Sequence, residues 1–303
     1  MGAGSRGGAE CDPVTSEPKS YGDELGVITV TYSPGETLGR FLDTLVKATS
    51  RDVRVVLADN GSTDGVPEAA AAERDNVEFL PTGGNLGYGG GANRGVAALP
   101  DSVGWVVVAN PDLEWGDGSL DELLKAAQRW PRGGAFGPLI REPNGEVYPS
   151  ARLLPELGRG IGHALFGKIW AGNPWTRQYR QEDKAVRERT AGWLSGSCLL
   201  MRREAFDSVA GFDPRYFMFF EDVDLGDRLA RKGWQNVYVP SAEVVHIGGV
   251  STAKVKPKML AAHHDSAYRY LADRHPGPLW APVRLAIRAG LALRLKLEVR
   301  GAR

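Results

Sequence analysis

The sequence predicts an α/β fold: a mainly parallel, twisted sheet flanked by helices, followed by a C-terminal helical extension. Three observations carry this expectation. Short β-branched runs alternate with helical stretches of about ten residues from Val27 to Ile140, the pattern of βαβ units. Two of those runs end in polar segments bearing Asp59 and Asp112, at the carboxyl ends of strands where ligands bind in such sheets. Two helical stretches, about 257–275 and 279–300, close the chain.

Taken in order, residues 1–24 are rich in Gly, Ser, Pro and charge without apolar period, and read as a disordered tail. Val27–Thr31 reads as a buried strand, and Ser33-Pro34-Gly35 turns the chain. Leu38, Phe41, Leu42, Leu45 and Val46 recur at helical spacing. Arg54–Ala58 is the next strand, Val66–Arg74 a short alanine-rich helix, and Val77–Leu80 a third strand. A Gly-rich loop, 83–91, leads into a helix through about Leu99. Trp105–Ala109 is a fourth strand, Ser119–Trp130 has helical period and Ala135–Ile140 strand character. Residues 141–190 are irregular, either an acceptor-facing loop region or a surface excursion. Apolar order resumes at Trp193–Met201, followed by a carboxylate-rich helix and a short strand, Val237–Val239. The expected boundaries are a tail at 1–24, one domain over 25–255 with halves 25–140 and 141–255, and an extension over 256–303.

Composition narrows the class. Lys plus Arg and Asp plus Glu each total 37, so the net charge points to no nucleic-acid partner. The charge is uneven, however: from Arg284 onward, Arg284, Arg288, Arg294, Lys296, Arg300 and Arg303 face a single Glu298. Cys11 and Cys198 are the only cysteines, which argues against a disulfide framework or a cysteine zinc site and fits a reducing compartment. No apolar run reaches the roughly 18–20 residues that span a bilayer. The N-terminus is not a basic-then-apolar signal. The expectation is a cytoplasmic protein, soluble or peripheral; a homodimer stays open.

The most informative stretch is 216–228, where Glu221, Asp222, Asp224 and Asp227 follow an aromatic run. Desolvating a carboxylate costs several kcal/mol, and a group held at such a border has its pKa raised toward that of a general base. The competing explanation is a helix start, with Asp224/Arg228 and Asp227/Arg231 as i,i+4 pairs. Asp59-Asn60-Gly61-Ser62 either hydrogen-bonds a ligand or forms an Asx turn. Asn110-Pro111-Asp112 offers one carboxylate past a buried strand, either for Mg²⁺ or Mn²⁺ on a diphosphate or as a turn cap. His246 is a further ligand or a satisfied core residue, and adjacent His263-His264 lie on different helix faces. The Gly-rich segment 83–91 does not follow the first strand, as a dinucleotide motif would. It still allows a phosphate or sugar to approach the backbone closely. No P-loop Gly-Lys-Ser/Thr is present.

In order, Thr31-Tyr32, Asp59-Asn60-Gly61-Ser62, Asn85-Leu86-Gly87 with Asn93, Asn110-Pro111-Asp112, Gly192–Ser197 and Glu221-Asp222-Val223-Asp224 resemble the family 2 glycosyltransferases of GT-A fold, a Rossmann-like architecture. The resemblance runs from about Val27 to His246. Tyr148–Arg152, Asn173-Pro174-Trp175 and Tyr216-Phe217-Met218 are similar to the rhamnosyltransferases of actinobacterial cell-wall (arabinogalactan) linker synthesis.

That resemblance implies a dTDP-L-rhamnose donor, a lipid-linked GlcNAc-diphosphate acceptor and inversion at the anomeric carbon. By it, residues 25–140 form the nucleotide-sugar half and 141–255 the acceptor and catalytic half. Thr31, Tyr32 and Asp59 would hold the thymine end of the donor, with Asn60, Gly61, Ser62, Asn85, Gly87, Asn93 and Asn110 completing the donor site. Trp193, Ser195, Gly196 and Asp224 would face the acceptor. Asp112 would bind a divalent metal, Mg²⁺ or Mn²⁺, assisted by His246. Asp222 would be the base, oriented by Glu221. The usual Asp-x-Asp is Asn110-Pro111-Asp112 here, a variant similar to that of rhamnosyltransferase relatives. Gln128-Arg129-Trp130 is not the Gln-x-x-Arg-Trp signature of processive synthases, so one sugar per encounter is expected. The rival readings are the same fold with a galactofuranosyl or polysaccharide rhamnosyl activity, and a catalytically silent nucleotide-sugar-binding protein. The basic, apolar stretch 279–300 either lies on a membrane surface or docks on the domain.

Overall fold

The computed structural model describes residues 21–155, 186–248 and 256–301. Asn173-Pro174-Trp175, Cys11 and most of the expected tail lie outside the described residues. In chain order the elements are β1 (Glu24–Thr31), α1 (Thr37–Ala48), β2 (Val53–Asp59), α2 (Val66–Ala72), β3 (Val77–Pro81), α3 (Gly87–Ala98), β4 (Val103–Ala109), β5 (Leu113–Trp115) and α4 (Ser119–Arg129). There follow β6 (Gly133–Arg141), β7 (Val147–Tyr148), β8 (Ala151–Arg152), β9 (Arg189–Ala191), β10 (Trp193–Leu194), β11 (Cys198–Arg202), α5 (Arg203–Ser208), α6 (Glu221–Arg231) and β12 (Gln235–His246). Helices α7 (Lys256–Arg274) and α8 (Ala281–Gly301) end the chain.

The main sheet has the order β3-β2-β1-β4-β11-β6-β12-β5. Strands β3, β2, β1 and β4 pair in parallel. β11 is antiparallel to both β4 and β6, and β12 runs parallel to β6. The carboxyl ends of β1, β2, β4, β6 and β12 therefore share one edge. Every residue of β1 after Glu24 is buried, because helices cover both faces; apolar, β-branched runs are what such a strand requires. On one face α1 inserts Leu38, Phe41, Leu42 and Leu45, and α4 adds Leu120, Leu123 and Leu124, at the spacing of a helix's inner stripe. On the other face Ala92, Val96, Phe206, Phe212, Leu225 and Leu229 pack on Ile28, Val30 and Val108.

Three expectations change. The single apolar run at 193–201 is two strands, β10 and β11, separated by Ser195-Gly196-Ser197. The short strand at 237–239 belongs to the twelve-residue β12, whose register against β6 shifts between Val239 and Glu243. Pro240 lies within that shift, and proline cannot donate to a ladder, so a bulge is where a strand tolerates it. Order also begins earlier than Val27: Tyr21 donates to Asp207 (2.7 Å), and Asp23 pairs with Arg51 and accepts from Trp105.

The Gly-rich segment has a packing cause. Gly91 and Gly95 recur one turn apart on α3, and a Cβ on them would lie 2.8 Å from Val30 Cγ1 and 2.5 Å from Ile28 Cγ2. The helix thus rests directly on β1. Gly87, at φ +75°, begins the helix against the carbonyl of Phe217, which accepts from Tyr88 N at 3.1 Å. Gly83 shares the left-handed backbone (φ +85°) but faces open space. Gly83→Ala should therefore cost only the conformational penalty, about 1 kcal/mol. Gly87→Ala should cost at least about 1 kcal/mol more, because it also displaces residue 217. Urea midpoints of the two variants measure the difference.

Candidate active site at the carboxyl edge of the sheet

Three loops meet at this edge. The first follows β2, where Asp59 accepts from Thr31 Oγ1 (2.7 Å), Gly61 N (3.0 Å), Ser62 N (2.9 Å) and the Ser62 hydroxyl. Burial alone would raise its pKa; these hydrogen bonds outweigh burial and hold it below the ordinary value. Ser33 N donates to Ser62 Oγ (2.8 Å) and Gly35 N to Asp64 Oδ2 (2.9 Å), stitching the loops after β1 and β2 together. Asn60 donates to the Gly87 carbonyl (3.0 Å) and accepts from Thr82 Oγ1 (3.0 Å). Asn85 accepts from Gly87 N (3.0 Å), and Asn93 clasps both backbone groups of Phe212 (2.7 and 2.9 Å). Asp59, Asn60, Asn85 and Asn93 thus turn their polar ends into the protein and fix the loop walls. Tyr32, more than half exposed, is free to meet a ligand.

The second loop follows β4. Asp112 Oδ1 lies 3.1 Å from His246 Nε2, and Asn110 Nδ2 lies 3.2 Å from the same nitrogen. His246 arrives because β12 ends antiparallel to β5, pairing His246 with Leu113, while Ile247 N donates to the Asp112 carbonyl at 3.0 Å.

The third loop is Ser195-Gly196-Ser197, between β10 and β11. The Ser197 carbonyl accepts from Asn110 N at 2.9 Å. Gly196 N donates to Asp222 Oδ2 at 2.9 Å, and the Tyr88 hydroxyl donates to the Gly196 carbonyl. This three-residue bridge therefore touches the Asn110-Pro111-Asp112 turn at one end and Asp222 at the other.

Asp222 and Glu221 open α6. Burial raises the pKa of Asp222, but N–H groups of Gly196 and Val223 (2.8 Å) and the positive charge of Arg152 oppose the rise. Glu221 is buried with Oε2 lacking any partner, so desolvation first and the Asp222 charge second push its pKa up. Two neighbouring buried carboxylates do not both ionise readily. Asp222, which accepts from the Gly196 and Val223 N–H groups and feels the Arg152 charge, is favoured over Glu221 to carry the charge. The helix start adds the positive end of its dipole to the same carboxylates.

The segment ahead of them is strained. Phe219 (φ +67°) and Phe220 (φ +65°) both adopt left-handed backbone, at about 1–3 kcal/mol for each non-glycine residue. Helix α7 holds them there. The His263 ring packs on both rings at 5.4 and 5.5 Å, Tyr270 packs on Phe220 at 5.8 Å, and Ser266 donates to the Met218 carbonyl at 3.0 Å. Arg274 reaches the buried Asp227 of α6 at 2.8 Å, alongside Arg231 at 2.7 Å.

Comparison with known proteins agrees with this geometry. The model for "Glycosyl transferase family 2" matches residues 26–210, and that for "Glycosyl transferase family group 2" matches 178–273. The N-acetylglucosaminyl-diphospho-decaprenol L-rhamnosyltransferase of Mycobacterium tuberculosis (strain CDC 1551 / Oshkosh) is 58% identical over 92% of this chain and 94% of its own length. The chain belongs to glycosyl transferase family 2. Rhamnosyltransferase WbbL of Escherichia coli (strain K12) is 24% identical over 82% of this chain and 92% of its own. Among solved structures, mannosyltransferase PcManGT from Pyrobaculum calidifontis, in complex with GDP-Man and Mn²⁺, superposes with TM-score 0.58 at 15% identity, over 97% of this chain and 80% of that one. GalNAc-T7 with UDP, GalNAc and Mn²⁺ superposes with TM-score 0.55 at 13% identity, over 75% and 44%. The fold is thus GT-A, with a helical C-terminal extension.

The divalent ion in those structures raises the question of whether this family 2 site fits one. Asp112 supplies a hard oxygen and His246 an imidazole nitrogen, and their 3.1 Å separation is that of cis ligands each about 2.1 Å from an octahedral ion. Among the described residues no third His, Cys, Asp or Glu joins them. The remaining positions fall to ligand oxygens and water. The residues fit an ion held jointly with an anionic ligand.

The other site residues named from the sequence are placed as follows. Ser195 Oγ lies 3.2 Å from Ser197 Oγ; Trp193 is buried and donates through Nε1 to the Leu153 carbonyl (3.0 Å). Asp224 pairs with Arg228 at 2.6 Å, as the i,i+4 spacing suggested, and Asp227 pairs likewise but is buried. Sequence reasoning missed Tyr88, which ties the Gly-rich helix to the bridge, and the α7 residues that brace Phe219-Phe220. It quoted Arg152 without giving it a role.

The raised Glu221 pKa fixes the sign of a stability effect. The folded protein keeps a proton that the unfolded chain releases above the ordinary glutamate range, so this group's contribution falls as pH rises through that window. Glu221→Gln should be more stable than wild type at about pH 9, with the gap closing toward about pH 5. Denaturant midpoints across that range measure it.

Proposed function

We propose that the chain is an inverting glycosyltransferase that moves L-rhamnose from dTDP-L-rhamnose to GlcNAc-diphospho-polyprenol, a step of arabinogalactan linker synthesis. The observation that carries the mechanism is the bridge at 195–197, which joins the ionised carboxylate Asp222 to the turn bearing Asp112. The 58% identity to the mycobacterial enzyme over nearly its whole length supports the choice of donor and acceptor.

Tyr32 receives the base end of the donor beside the loop that Asp59 holds in shape, and the fully buried Thr31 supports Asp59 from within. Gly61, Ser62 and Asn110 line the way to the diphosphate, and Gly87 packs behind them against Phe217. Asp112 and His246 would hold a divalent ion, which would supply positive charge beside the diphosphate. On the acceptor side, Asp222 takes the proton of the sugar hydroxyl as its oxygen attacks the rhamnose anomeric carbon from the face opposite the leaving group. The bond to the diphosphate breaks, the nucleotide departs with its electron pair, and the configuration inverts. Glu221, protonated and buried, confines the charge to Asp222. Tyr88 and Gly196 keep that carboxylate and the acceptor wall of Trp193 and Ser195 in register.

A lipid-linked acceptor places the reaction at a membrane surface. Helix α8 and the turn before it expose Leu279, Trp280, Leu285 and Leu293 near Arg288, Arg294 and Lys296, the mixture that binds an anionic leaflet peripherally. Among the described residues no helix is long and apolar enough to cross a membrane.

Incubation of the protein with dTDP-L-rhamnose and GlcNAc-diphospho-polyprenol should give an acceptor heavier by one deoxyhexose, read by mass spectrometry. No such product, together with transfer from another donor in a panel, contradicts the assignment. Asp222→Asn should lower kcat by about a thousandfold or more and leave the donor Kd within a factor of two or so. Asp112→Ala should abolish the dependence of donor binding on Mg²⁺ or Mn²⁺; an affinity that still responds to chelator would contradict its role.

A further inference from the structure

Arg152, unlike several arginines of this half of the chain, is held without a carboxylate beside the segment that carries Gly196. Arg228, Arg203, Arg274 and Arg141 each pair with a carboxylate: Asp224, Asp207, Asp227 and Glu243. Arg152 pairs with none among the described residues. It lies on β8 directly across from Trp193 of β10. Its guanidinium sits 5.2 Å from the Trp193 ring centroid and 5.1 Å from that of Tyr148, and Nε donates to the Pro149 carbonyl at 2.6 Å. The head is therefore oriented by two rings and one hydrogen bond, while no acceptor for its two terminal nitrogens is found among the described residues. A planar fork held this way is prepared for a phosphate.

Its position relative to the base gives the fork a purpose. From Trp193 the chain runs to Gly196, whose N–H holds Asp222. Asp222 feels the Arg152 charge but receives its hydrogen bonds from Gly196 and Val223, not from Arg152. The cation is thus beside the base without being consumed by it. In a sugar diphosphate, the attacking hydroxyl and the anomeric phosphate are carried by one pyranose ring, so both are within reach of groups arranged in this way.

We propose that Arg152 is the specificity residue for the acceptor, gripping the phosphate on the anomeric carbon of the sugar whose hydroxyl gives its proton to Asp222. This rests on the reading that the acceptor is a sugar diphosphate. It selects diphosphate-linked sugars over neutral glycans and turns the hydroxyl toward Asp222. The Tyr148 and Trp193 rings supply orientation, and no proton passes through the guanidinium.

The test compares two acceptors with one donor, dTDP-L-rhamnose: a short-chain GlcNAc-diphosphate lipid and a neutral alkyl GlcNAc glycoside. The wild-type enzyme should prefer the diphosphate acceptor, measured as the ratio of kcat/KM values. In Arg152→Gln that ratio should fall at least tenfold, chiefly through KM for the diphosphate acceptor, with the donor Kd retained. Arg152→Lys, which keeps the charge but not the fork, should fall in between and serves alone if the glutamine variant does not fold. An equal loss on both acceptors, or an unchanged KM for the diphosphate acceptor, overturns the proposal. Failure of the wild-type enzyme on the diphosphate acceptor overturns the acceptor assignment itself, and is distinguished because it appears before any variant is made.

Discussion

The Gly196 N–H, 2.9 Å from Asp222 Oδ2, favours Asp222 over the buried Glu221 beside it as the carboxylate that carries a negative charge. Removing that donor leaves Asp222 with the Val223 N–H and the Arg152 charge, and narrows its separation from Glu221. With it, Asp222 has two backbone donors while Glu221 has an unsatisfied oxygen. The same three-residue bridge also meets the Asn110 backbone. One short loop therefore bears on the charge of Asp222 and fixes its position relative to the turn that bears Asp112.

The rest of the molecule keeps this arrangement in place against strain. Two consecutive phenylalanines in left-handed backbone cost a few kcal/mol together, and no local interaction of that segment offsets so much. The compensation comes from far along the chain, through His263, Ser266, Tyr270 and Arg274 on α7. The C-terminal extension is thus joined to the catalytic helix, and α8, with its exposed apolar and basic residues, packs on α7. Helix α7 thus links the exposed apolar and basic residues of α8 to the helix that opens with Glu221 and Asp222.

Much of this was legible in the sequence. The alternation of β-branched and helical stretches gave the parallel half of the sheet, because period and composition are local properties of Val27–Thr31, Arg54–Ala58 and Trp105–Ala109. The carboxylates at 221 and 222 stood out because charge beside aromatics is unfavourable without a purpose. Other features were not local. β5 is too short to show a period, and the meeting of Asp112 with His246 depends on β12 ending against β5. The glycines of α3 suggested phosphate contact, yet Gly91 and Gly95 are required by Val30 and Ile28, residues some sixty positions away. Asp59 carried both a ligand and a turn reading; in the structure its oxygens are occupied by the turn. The bracing of Phe219-Phe220 by α7 could not be read from either segment alone.

The division of charge between Glu221 and Asp222 is open to direct measurement. Carboxyl-carbon NMR titration of the wild-type protein and Glu221→Gln should show Asp222 ionising at lower pH than Glu221. In Glu221→Gln the Asp222 titration should stay near its wild-type position, because the neighbour is already neutral when Asp222 ionises. A titration in which Glu221 loses its proton first would contradict the account, because the charge would then lie on the carboxylate that Gly196 and Val223 do not hold.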